Sequence, residues 1–342
     1  MRRIIFVLAA AAAAFISPPA SSAGDFPVCF YGVNEPASLA VLHRSGFNCF
    51  QTYLDDPEKL AGLAETARGL DMRMVAPPYK VMESAYAEKA KKWPVLAWYL
   101  KDEPEVGWMP AADLLAMDKR VKEWSPKQRT AFVMGHGLPA MVYGAAGDAV
   151  MLDWYPVPHL PLESVGRELA LVRQGVRLMD PARPEKPLWA VLQAFDWIEY
   201  PQRRAKKVGG WPTFEQVRFM TWLAVTRGAS GVFYFKYADN RGMPLPQRPE
   251  LWERYTRVAG ELGAMSKVLV KGKDIPLPGG LDERLAGRAL RRWFTKYLVL
   301  VNPTRGAVPL DAEVLKGWRP LFETARDLPE ALPAYGVLIL EK

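Results

Sequence analysis

The fold is decided by the stretch Val95-Leu96-Ala97-Trp98-Tyr99-Leu100-Lys101-Asp102-Glu103-Pro104-Glu105. It begins as an apolar and aromatic run long enough for a buried β-strand, and it ends in three carboxylates. Pro104 has no backbone N–H to donate, so the strand is predicted to stop there. In parallel α/β folds the carboxyl ends of the strands open onto one common face, where ligands bind. The three acids are therefore candidate site residues, with an ordinary loop of solvated acids as the alternative.

Short apolar runs alternate with helical patterns from residue 26 onward, which predicts successive βα units and a parallel sheet. The predicted strands are residues 28–33, 47–54, 72–76, the opening stretch, 130–134, 149–152, 188–192 and 231–235. The predicted helices include residues 37–44, 82–92, 111–123, 162–178 and 251–265. Eight such units favour a closed (β/α)8 TIM barrel over an open sheet. No glycine-rich phosphate loop follows any strand, which argues against nucleotide-binding folds.

The sequence changes character after about residue 266, where glycine and proline interrupt short apolar runs. Strands are predicted at residues 288–295, 297–301 and 336–341. The predicted fold class is therefore α/β, with a TIM barrel over residues 24–266 and a small C-terminal antiparallel β-domain. This second domain, over residues 267–342, is predicted to be β-sandwich-like and structural in role.

The N-terminus has the three-part pattern of a secretory signal peptide. Met1-Arg2-Arg3 is charged, residues 4–16 are apolar and rich in alanine, and small residues lead to Ala23. We expect cleavage near Ala23 and a secreted or periplasmic product. Neither this apolar run nor any later one reaches the roughly 20 residues that span a bilayer, so no stable membrane insertion is expected.

The charge distribution does not favour a nucleic-acid partner. The formal net charge is +8, and it falls to +6 once Arg2 and Arg3 leave with the signal peptide. The remaining basic residues are spread along the chain, apart from the run 203–207. We interpret that run as a solvated loop, with an acidic glycan as its alternative partner. The sequence does not fix the oligomeric state.

Cysteine and histidine usage bears on redox state and on metals. Cys29 and Cys49 fall on the first two predicted strands, where they either form a disulfide or remain buried thiols. The three histidines, His43, His136 and His159, share no metal-ligand spacing. We expect neither a metal nor a cofactor.

Carboxylates, amides and aromatic rings follow the predicted strand ends. Aromatic faces stack on the apolar faces of sugar rings, while amides and acids bind sugar hydroxyls, so this mixture suits a carbohydrate substrate. For each tryptophan or tyrosine taken alone, plain packing is the alternative. The predicted substrate-binding residues are Asn34, Tyr53, Tyr79, His136, Tyr155, Gln193, Trp197, Lys236 and Tyr237.

Four segments at these strand ends carry a resemblance to a known family. They are residues 98–104 after strand four, 153–156 after strand six, 192–195 in strand seven and 227–231 before strand eight. In them the chain resembles glycoside hydrolase-type TIM barrels and is similar to clan A glycosidases over about residues 26–266. The resemblance implies hydrolysis of O-glycosidic bonds in an oligo- or polysaccharide. By position, Glu103 matches the acid/base carboxylate that the family carries after strand four.

Glycoside cleavage requires two carboxyl groups because its transition state resembles an oxocarbenium ion. One acid protonates the leaving oxygen, and a second carboxylate attacks, or activates water, on the opposite face. Glu103 is the predicted acid, and ionised Asp102 and Glu105 nearby are expected to raise its pKa. Asp102 is either a catalytic residue itself or a hydrogen-bonding support.

The chain departs from the family at the end of strand seven. The family carries a glutamate nucleophile there, whereas this chain has Gln193, an amide that cannot attack. Three alternatives follow: Asp153 acts as base in an inverting reaction, Asp196 or Glu199 acts as nucleophile, or the barrel is an inactive glycan-binding protein. Asp153 ranks first because residues 152–156 repeat the strand-four pattern of an apolar run, an acid and a proline. Its alternative is a purely structural hydrogen-bonding role.

Overall fold

The computed structural model of the chain describes residues 25–202, 209–323 and 327–342. The predicted signal peptide and the basic run 203–207 lie outside the described residues, so both remain predictions.

Eight parallel strands close into a barrel in chain order, and the last strand pairs with the first. The strands are β1 (Val28–Phe30), β2 (Cys49–Gln51), β3 (Arg73–Ala76), β4 (Val95–Asp102), β5 (Thr130–Met134), β6 (Ala149–Trp154), β7 (Leu188–Gln193) and β8 (Gly231–Phe235). The helices are α1 (Pro36–Arg44), α2 (Pro57–Gly69), α3 (Tyr79–Met82), α4 (Ala87–Ala90), α5 (Ala111–Trp124), α6 (Ala140–Tyr143), α7 (Ser164–Met179), α8 (Phe214–Thr226) and α9 (Pro249–Lys271). The predicted (β/α)8 TIM barrel is confirmed. Within the described ranges, no helix combines the length and apolar character needed to cross a bilayer.

The strand predicted over residues 47–54 is shorter in the structure, where β2 covers Cys49–Gln51. Two other predicted elements differ from the structure for local reasons. The helix predicted over residues 82–92 is two short helices, because the Ser84 hydroxyl donates to the Val81 carbonyl and accepts from the Tyr86 N–H, in competition with helical hydrogen bonds. The strand predicted over residues 28–33 ends at Phe30, since Gly32 has a φ of +73°, in the left-handed region. Neither difference alters the order of the barrel strands.

Alternate strand residues fill the inside of the barrel, among them Cys29, Cys49, Val75, Ala97, Val133, Met151, Trp189 and Phe233. Cys29 and Cys49 lie opposite each other in the β1–β2 register and form a disulfide, with Cα atoms 4.6 Å apart. Of the two alternatives for the cysteines, the bridge is therefore confirmed. Tyr31 and Gln51 follow two residues later and, because side chains alternate along a strand, face the same interior nearer the carboxyl end.

The chain after α9 forms the small antiparallel β-structure that the sequence predicts. Its strands are β9 (Lys273–Ile275), β10 (Ala286–Arg292), β11 (Thr295–Val301), β12 (Val308–Pro309), β13 (Arg319–Pro320), β14 (Ala331–Leu332) and β15 (Val337–Glu341). Five form a sheet in the order β13-β15-β11-β10-β9, and β12 pairs with β14. The strand predicted over residues 288–295 is wrong at its end, because the chain turns at Trp293 and Phe294 and Thr295 already belongs to β11.

Both faces of the C-terminal sheet are packed. Leu290, Val299 and Ile339 join the core between the barrel and its helices. Leu298 and Leu340 belong to a second apolar cluster on the other face. The boundary suggested at residues 266/267 falls inside α9, and the division into two domains remains a prediction.

Candidate active site

Strand β4 delivers its acids to the carboxyl end of the barrel, which we call the mouth. Its pairing with β5 is irregular between Tyr99 and Asp102. Glu103 then adopts a φ of +39°, which is uncommon for a residue with a side chain, while its N–H donates to the Val133 carbonyl at 3.1 Å. Such local strain concentrates at functional sites, so the backbone singles out Glu103 within the acidic segment.

Gly135, the first residue after β5, holds two of these carboxylates. Its N–H donates a hydrogen bond of 2.5 Å to Oε1 of Glu105. A Cβ atom at position 135 would lie 2.6 Å from Oε1 of Glu103 and 3.4 Å from Oε1 of Glu105. The two carboxylates therefore pack closely against Gly135, and a larger residue there would displace the end of the Glu103 side chain. The second oxygen of Glu105, Oε2, is buried without a hydrogen-bond partner among the described residues.

Asp153, the fifth residue of β6, faces the same space from two strands away, on the other side of β5. Burial raises the pKa of Asp153 well above the usual range of an aspartate, and the charges of Glu103 and then Asp102 raise it further. Tyr155 opposes this shift by donating a 3.2 Å hydrogen bond to Oδ2. Oδ1 has no hydrogen-bond partner in the described part of the chain. The acids of β4 and β6 thus form one electrostatically linked group.

Tyrosines line this acidic group. Tyr99 donates a 2.6 Å hydrogen bond to Oδ1 of Asp102. Burial raises the pKa of Asp102, and this hydrogen bond partly offsets the shift. The Tyr31 ring lies 6.3 Å from that of Tyr99 and 6.1 Å from that of Tyr53, measured between centroids. Burial, followed by the charges of Asp102 and Asp153, raises the pKa of Tyr53, so its phenol remains a hydrogen-bond donor near neutral pH.

Gln51 adds a fixed donor to the barrel interior beside Tyr31. Its Oε1 accepts a 3.1 Å hydrogen bond from the Gly32 N–H, which determines the orientation of the amide. Nε2 is buried and, within the described residues, has no acceptor. An orphaned buried donor of this kind is expected to meet a ligand or water.

Gln193 does not reach the mouth as a free amide. It is 0% exposed. Its Nε2 donates to the carbonyls of Val157 and Phe195, while its Oε1 accepts from the Val157 N–H at 2.9 Å. Gln193 therefore holds the loop after β6, and both ends of this predicted substrate-binding amide are bonded within the chain.

The other two acids considered as nucleophiles have structural partners. Asp196 accepts hydrogen bonds from the N–H groups of Ile198 and Gly210, both at 2.9 Å. Glu199 lies 3.3 Å from the ammonium group of Lys236 and accepts from the Asn240 N–H. Both carboxylates fasten the loops after β7 and β8, which leaves Asp153 as the acid that shares space with Glu103.

Two predicted substrate-binding tyrosines lie in the layer between strands and helices. The Tyr79 hydroxyl donates to the Leu100 carbonyl at 2.9 Å, and its electrostatic neighbours are Asp118 and Arg120 on α5. Tyr237 is buried against Phe30 and Trp252. The structure does not bring either side chain to the mouth.

The remaining predicted contacts lie around the rim. Asn34 is exposed and accepts from the Thr52 hydroxyl at 2.8 Å. His136 is exposed directly after Gly135. Trp197 is buried, with its ring centroid 6.4 Å from that of Tyr155, and Lys236 is held by Glu199. Thus Tyr53 and Tyr155 join the acids directly, Trp197 packs behind them, and Asn34, His136 and Lys236 are peripheral.

Sequence reasoning did not select Tyr31 and Tyr99 as site residues, and it placed Gln51 at a strand end without predicting a role for it. A usable signal was present, because each is two residues beyond an inward-facing residue on its strand: Cys29, Ala97 and Cys49. For metals, no group of three or more His, Cys, Asp or Glu side chains in the described residues is arranged to hold an ion.

Comparisons with known proteins identify the fold. No protein-family model matches the chain, and no curated protein matches it in sequence. A similar solved structure is an α-amylase from Geobacillus thermoleovorans, with 13% identity and a TM-score of 0.57 over 94% of this chain and 99% of that chain. Eubacterium rectale Amy13B has 10% identity and a TM-score of 0.60 over 93% of this chain and 96% of its own. A GH30 endoxylanase from Clostridium papyrosolvens C71 has 10% identity and a TM-score of 0.53 over 95% of this chain and 97% of its own. The chain therefore has the fold of a glycoside hydrolase-type TIM barrel. At such identities the likeness shows the fold alone.

Proposed function

We propose that the protein is an exported glycoside hydrolase that cleaves O-glycosidic bonds of an oligo- or polysaccharide, with Glu103 and Asp153 as its two catalytic carboxyl groups. The observation that carries the proposal is the placement of Glu103 directly after β4 and of buried Asp153 near the end of β6, on either side of β5 at the mouth. The charge of Glu103, which raises the pKa of Asp153, is consistent with this closeness. Hydrolysis requires one proton donor and one anion at the scissile bond. A carboxyl group that burial keeps protonated, close to a second carboxyl group, meets this requirement.

The direction of the pKa shift suggests where that proton lies before substrate binds. Burial favours the neutral form of Asp153, so we assign a proton to Asp153 in the free protein. The sequence instead favoured Glu103 as the donor. For Glu103 to act as the acid/base, as the resemblance implies, the proton passes from Asp153 to Glu103 when substrate binds, and Asp153 becomes the carboxylate that attacks or activates water.

Asp102 fits a supporting role within this mechanism. Its bond from the Tyr99 hydroxyl fixes one oxygen, and its charge is one of the causes that raise the pKa of Asp153. The charge of Asp102 thus helps to keep Asp153 protonated, and the Tyr99 hydroxyl holds the Asp102 carboxylate in place.

The rim offers surfaces for sugar rings. Trp108, on the turn that follows Glu103, is 89% exposed and has a φ of +52°. Tyr53 is partly exposed beside the acids. Exposed aromatic faces of this kind stack on pyranose rings. The α-amylase with a similar fold was solved in complex with acarbose, and another similar structure, AmyP, in complex with maltose. These ligands support an oligosaccharide substrate for this chain.

The proposal is tested by incubating the protein with a panel of bacterial, plant and host glycans and measuring released reducing ends. Glu103→Gln is compared with Glu35→Gln, an exposed acid after β1 whose side chain caps no helix N–H. We expect cleavage by the parent protein, a loss of about a hundredfold or more in Glu103→Gln, and little change in Glu35→Gln.

A glycan-binding barrel without activity is the second candidate. It is favoured by the structural use of Gln193, which leaves no carboxylate at the end of β7. Binding of a glycan by the parent protein, without release of product from any member of the panel, would establish this second function instead.

A further inference from the structure

The β10–β11 hairpin ends in two exposed aromatic side chains. Its two-residue turn consists of Trp293 and Phe294, which are 80% and 98% exposed. Trp293 has a φ of +59°, a conformation for which such turns favour glycine or asparagine. The strained backbone and the exposed apolar surface both cost free energy, and neither side chain is buried enough within the chain to offset these costs. A partner outside the chain would offset both.

Three basic side chains form a row beside this turn. Strand pairing places Arg291 opposite Lys273 on β9 and opposite Lys296 on β11. All three are exposed, and side-chain alternation puts them on the face of the sheet that points away from the barrel. Like charges directly opposite one another destabilise a sheet. The row of basic side chains therefore lowers the stability of the sheet at this place.

Nearby acids do not neutralise the row. Asp274 on β9 forms its ion pair with Arg288, and Glu341 on β15 forms its ion pair with Arg319. Throughout the described ranges, none of the three cations takes part in an ion pair. The hairpin thus presents an apolar tip next to a row of positive charges that has no neutralising acids among the described residues.

The hairpin points away from the mouth. Arg288 donates to the carbonyl of Val225 at the carboxyl end of α8. Because helices run antiparallel to the strands in this fold, that end of α8 lies at the opposite end of the barrel from the mouth. Strand β10 continues from Arg288 to Arg292, so the turn projects from the closed end of the molecule.

We propose that this hairpin docks the protein on the surface of a bilayer containing anionic phospholipid. Trp293 and Phe294 would enter the boundary between headgroups and acyl chains, where aromatic side chains partition favourably, while Lys273, Arg291 and Lys296 contact headgroup phosphates. Docking at the closed end leaves the mouth facing away from the membrane. The binding is peripheral and requires no membrane-spanning segment, and it does not depend on catalysis.

The chemistry of the turn favours lipid over a glycan. Sugar recognition combines an aromatic face with amide or carboxylate partners for hydroxyls. Residues 291–296 contain no amide and no acid, and their one hydroxyl belongs to Thr295. A phenyl ring exposed at a hairpin tip, flanked by cations, matches a surface with phosphates outside and hydrocarbon beneath.

The test is sedimentation with lipid vesicles, using protein that begins at Gly24 so that the apolar N-terminal segment does not contribute. Vesicles of phosphatidylcholine alone are compared with vesicles of phosphatidylcholine and phosphatidylglycerol in equal parts.

The double variant Trp293→Ser/Phe294→Ser removes the apolar tip. Its matched control is Trp108→Ser, since Trp108 has similar exposure and a similar left-handed φ at the other end of the barrel. Lys273→Gln/Arg291→Gln/Lys296→Gln is matched by Lys59→Gln/Lys119→Gln/Lys127→Gln, three exposed lysines on the barrel.

We expect the parent protein to bind the vesicles that contain phosphatidylglycerol and not those of phosphatidylcholine alone. High salt should weaken this binding. The triple variant at the row should lower the partition coefficient on the order of a hundredfold, and its matched control only slightly. The double aromatic variant should lose most binding while Trp108→Ser retains it, with circular dichroism confirming that each variant folds. Failure of the parent to bind anionic vesicles, equal losses in variant and control, or binding of the hairpin to an acidic polysaccharide such as alginate instead of vesicles would each overturn the proposal.

Discussion

The backbone N–H of Gly135 donates a 2.5 Å hydrogen bond to Oε1 of Glu105, which fixes a carboxylate from the β4 loop on the end of β5. The same glycine leaves room for Glu103, because a Cβ atom at position 135 would come within 2.6 Å of Oε1 of Glu103. One small residue directly after the neighbouring strand thus holds Glu105 and leaves room for Glu103 at the mouth.

Gly135→Ala is therefore expected to damage activity more than stability. The added methyl group would displace the Glu103 carboxylate, and a shift of about 1 Å in a catalytic group costs up to a hundredfold in rate. We expect kcat to fall by about tenfold or more, with a circular dichroism spectrum like that of the parent. Gly107→Ala is the control, since a Cβ atom there meets nothing within 4 Å. Equal activity in both variants would show that Glu103 does not need its present position.

Gln193→Glu is expected to destabilise the protein without improving it as an enzyme. A buried carboxylate would face the carbonyls of Val157 and Phe195, to which the amide now donates. Loss of these bonds and burial of a charge are expected to lower the free energy of unfolding by about 2 to 4 kcal/mol in urea titrations. Gln247→Glu, at an exposed position, serves as the control and should change the free energy of unfolding little. A gain in hydrolytic rate would instead show that β7 can still supply a nucleophile.

Asp153→Asn is expected to stabilise the fold at neutral pH. A carboxyl group whose pKa is raised by folding contributes stability at low pH, and this contribution is lost as pH rises through the folded-state pKa. Asparagine stays neutral throughout. The variant should therefore exceed the parent by about 1 kcal/mol in free energy of unfolding near pH 7, and the difference should shrink toward pH 4.

The comparison is made by urea unfolding at several pH values, with the exposed Glu65→Gln as control. A stability difference for Asp153→Asn that is independent of pH would mean that the pKa of Asp153 is not raised in the folded protein.

Trp108→Ala is expected to weaken binding of long substrates. An exposed indole next to the acids offers a stacking face to a sugar ring beyond the cleaved bond, and such contacts contribute about 0.5 to 1.5 kcal/mol. KM for a long oligosaccharide should rise by about threefold to tenfold, while kcat on the shortest cleaved substrate is unchanged. Leu178→Ala, another exposed apolar side chain, is the control. Equal effects on long and short substrates would remove Trp108 from the substrate path.

The sequence predicted the barrel well because its strands are continuous apolar runs. β5 and β8 were predicted with the bounds that the structure has, and β4 was located by the change from apolar residues to acids. Turns were harder. The strand predicted through residue 295 missed the hairpin turn, because Trp293 and Phe294 resemble strand residues and no glycine marks the turn.

The side chains that gather around the acids could be predicted only in part, since a position at a strand end does not determine which way a side chain faces. Tyr79 and Tyr237 occupy such positions, yet long-range contacts with Leu100 and Trp252 hold them between strands and helices. The role of Gln193 depends on Val157, which is distant in sequence. The link between Glu103 and Asp153 likewise arises only when β4 and β6 are closed into one barrel.

The central claim is that Glu103 and Asp153 act as one catalytic pair, and a double-mutant cycle on a cleaved glycan tests it most directly. The rates of Glu103→Gln, Asp153→Asn and the double variant are measured on the same substrate. We expect each single variant to lose about a hundredfold or more, and the double variant to lose scarcely more than either, because groups that act as a unit are not additive. Full activity in Asp153→Asn, or losses that simply multiply in the double variant, would contradict the pair.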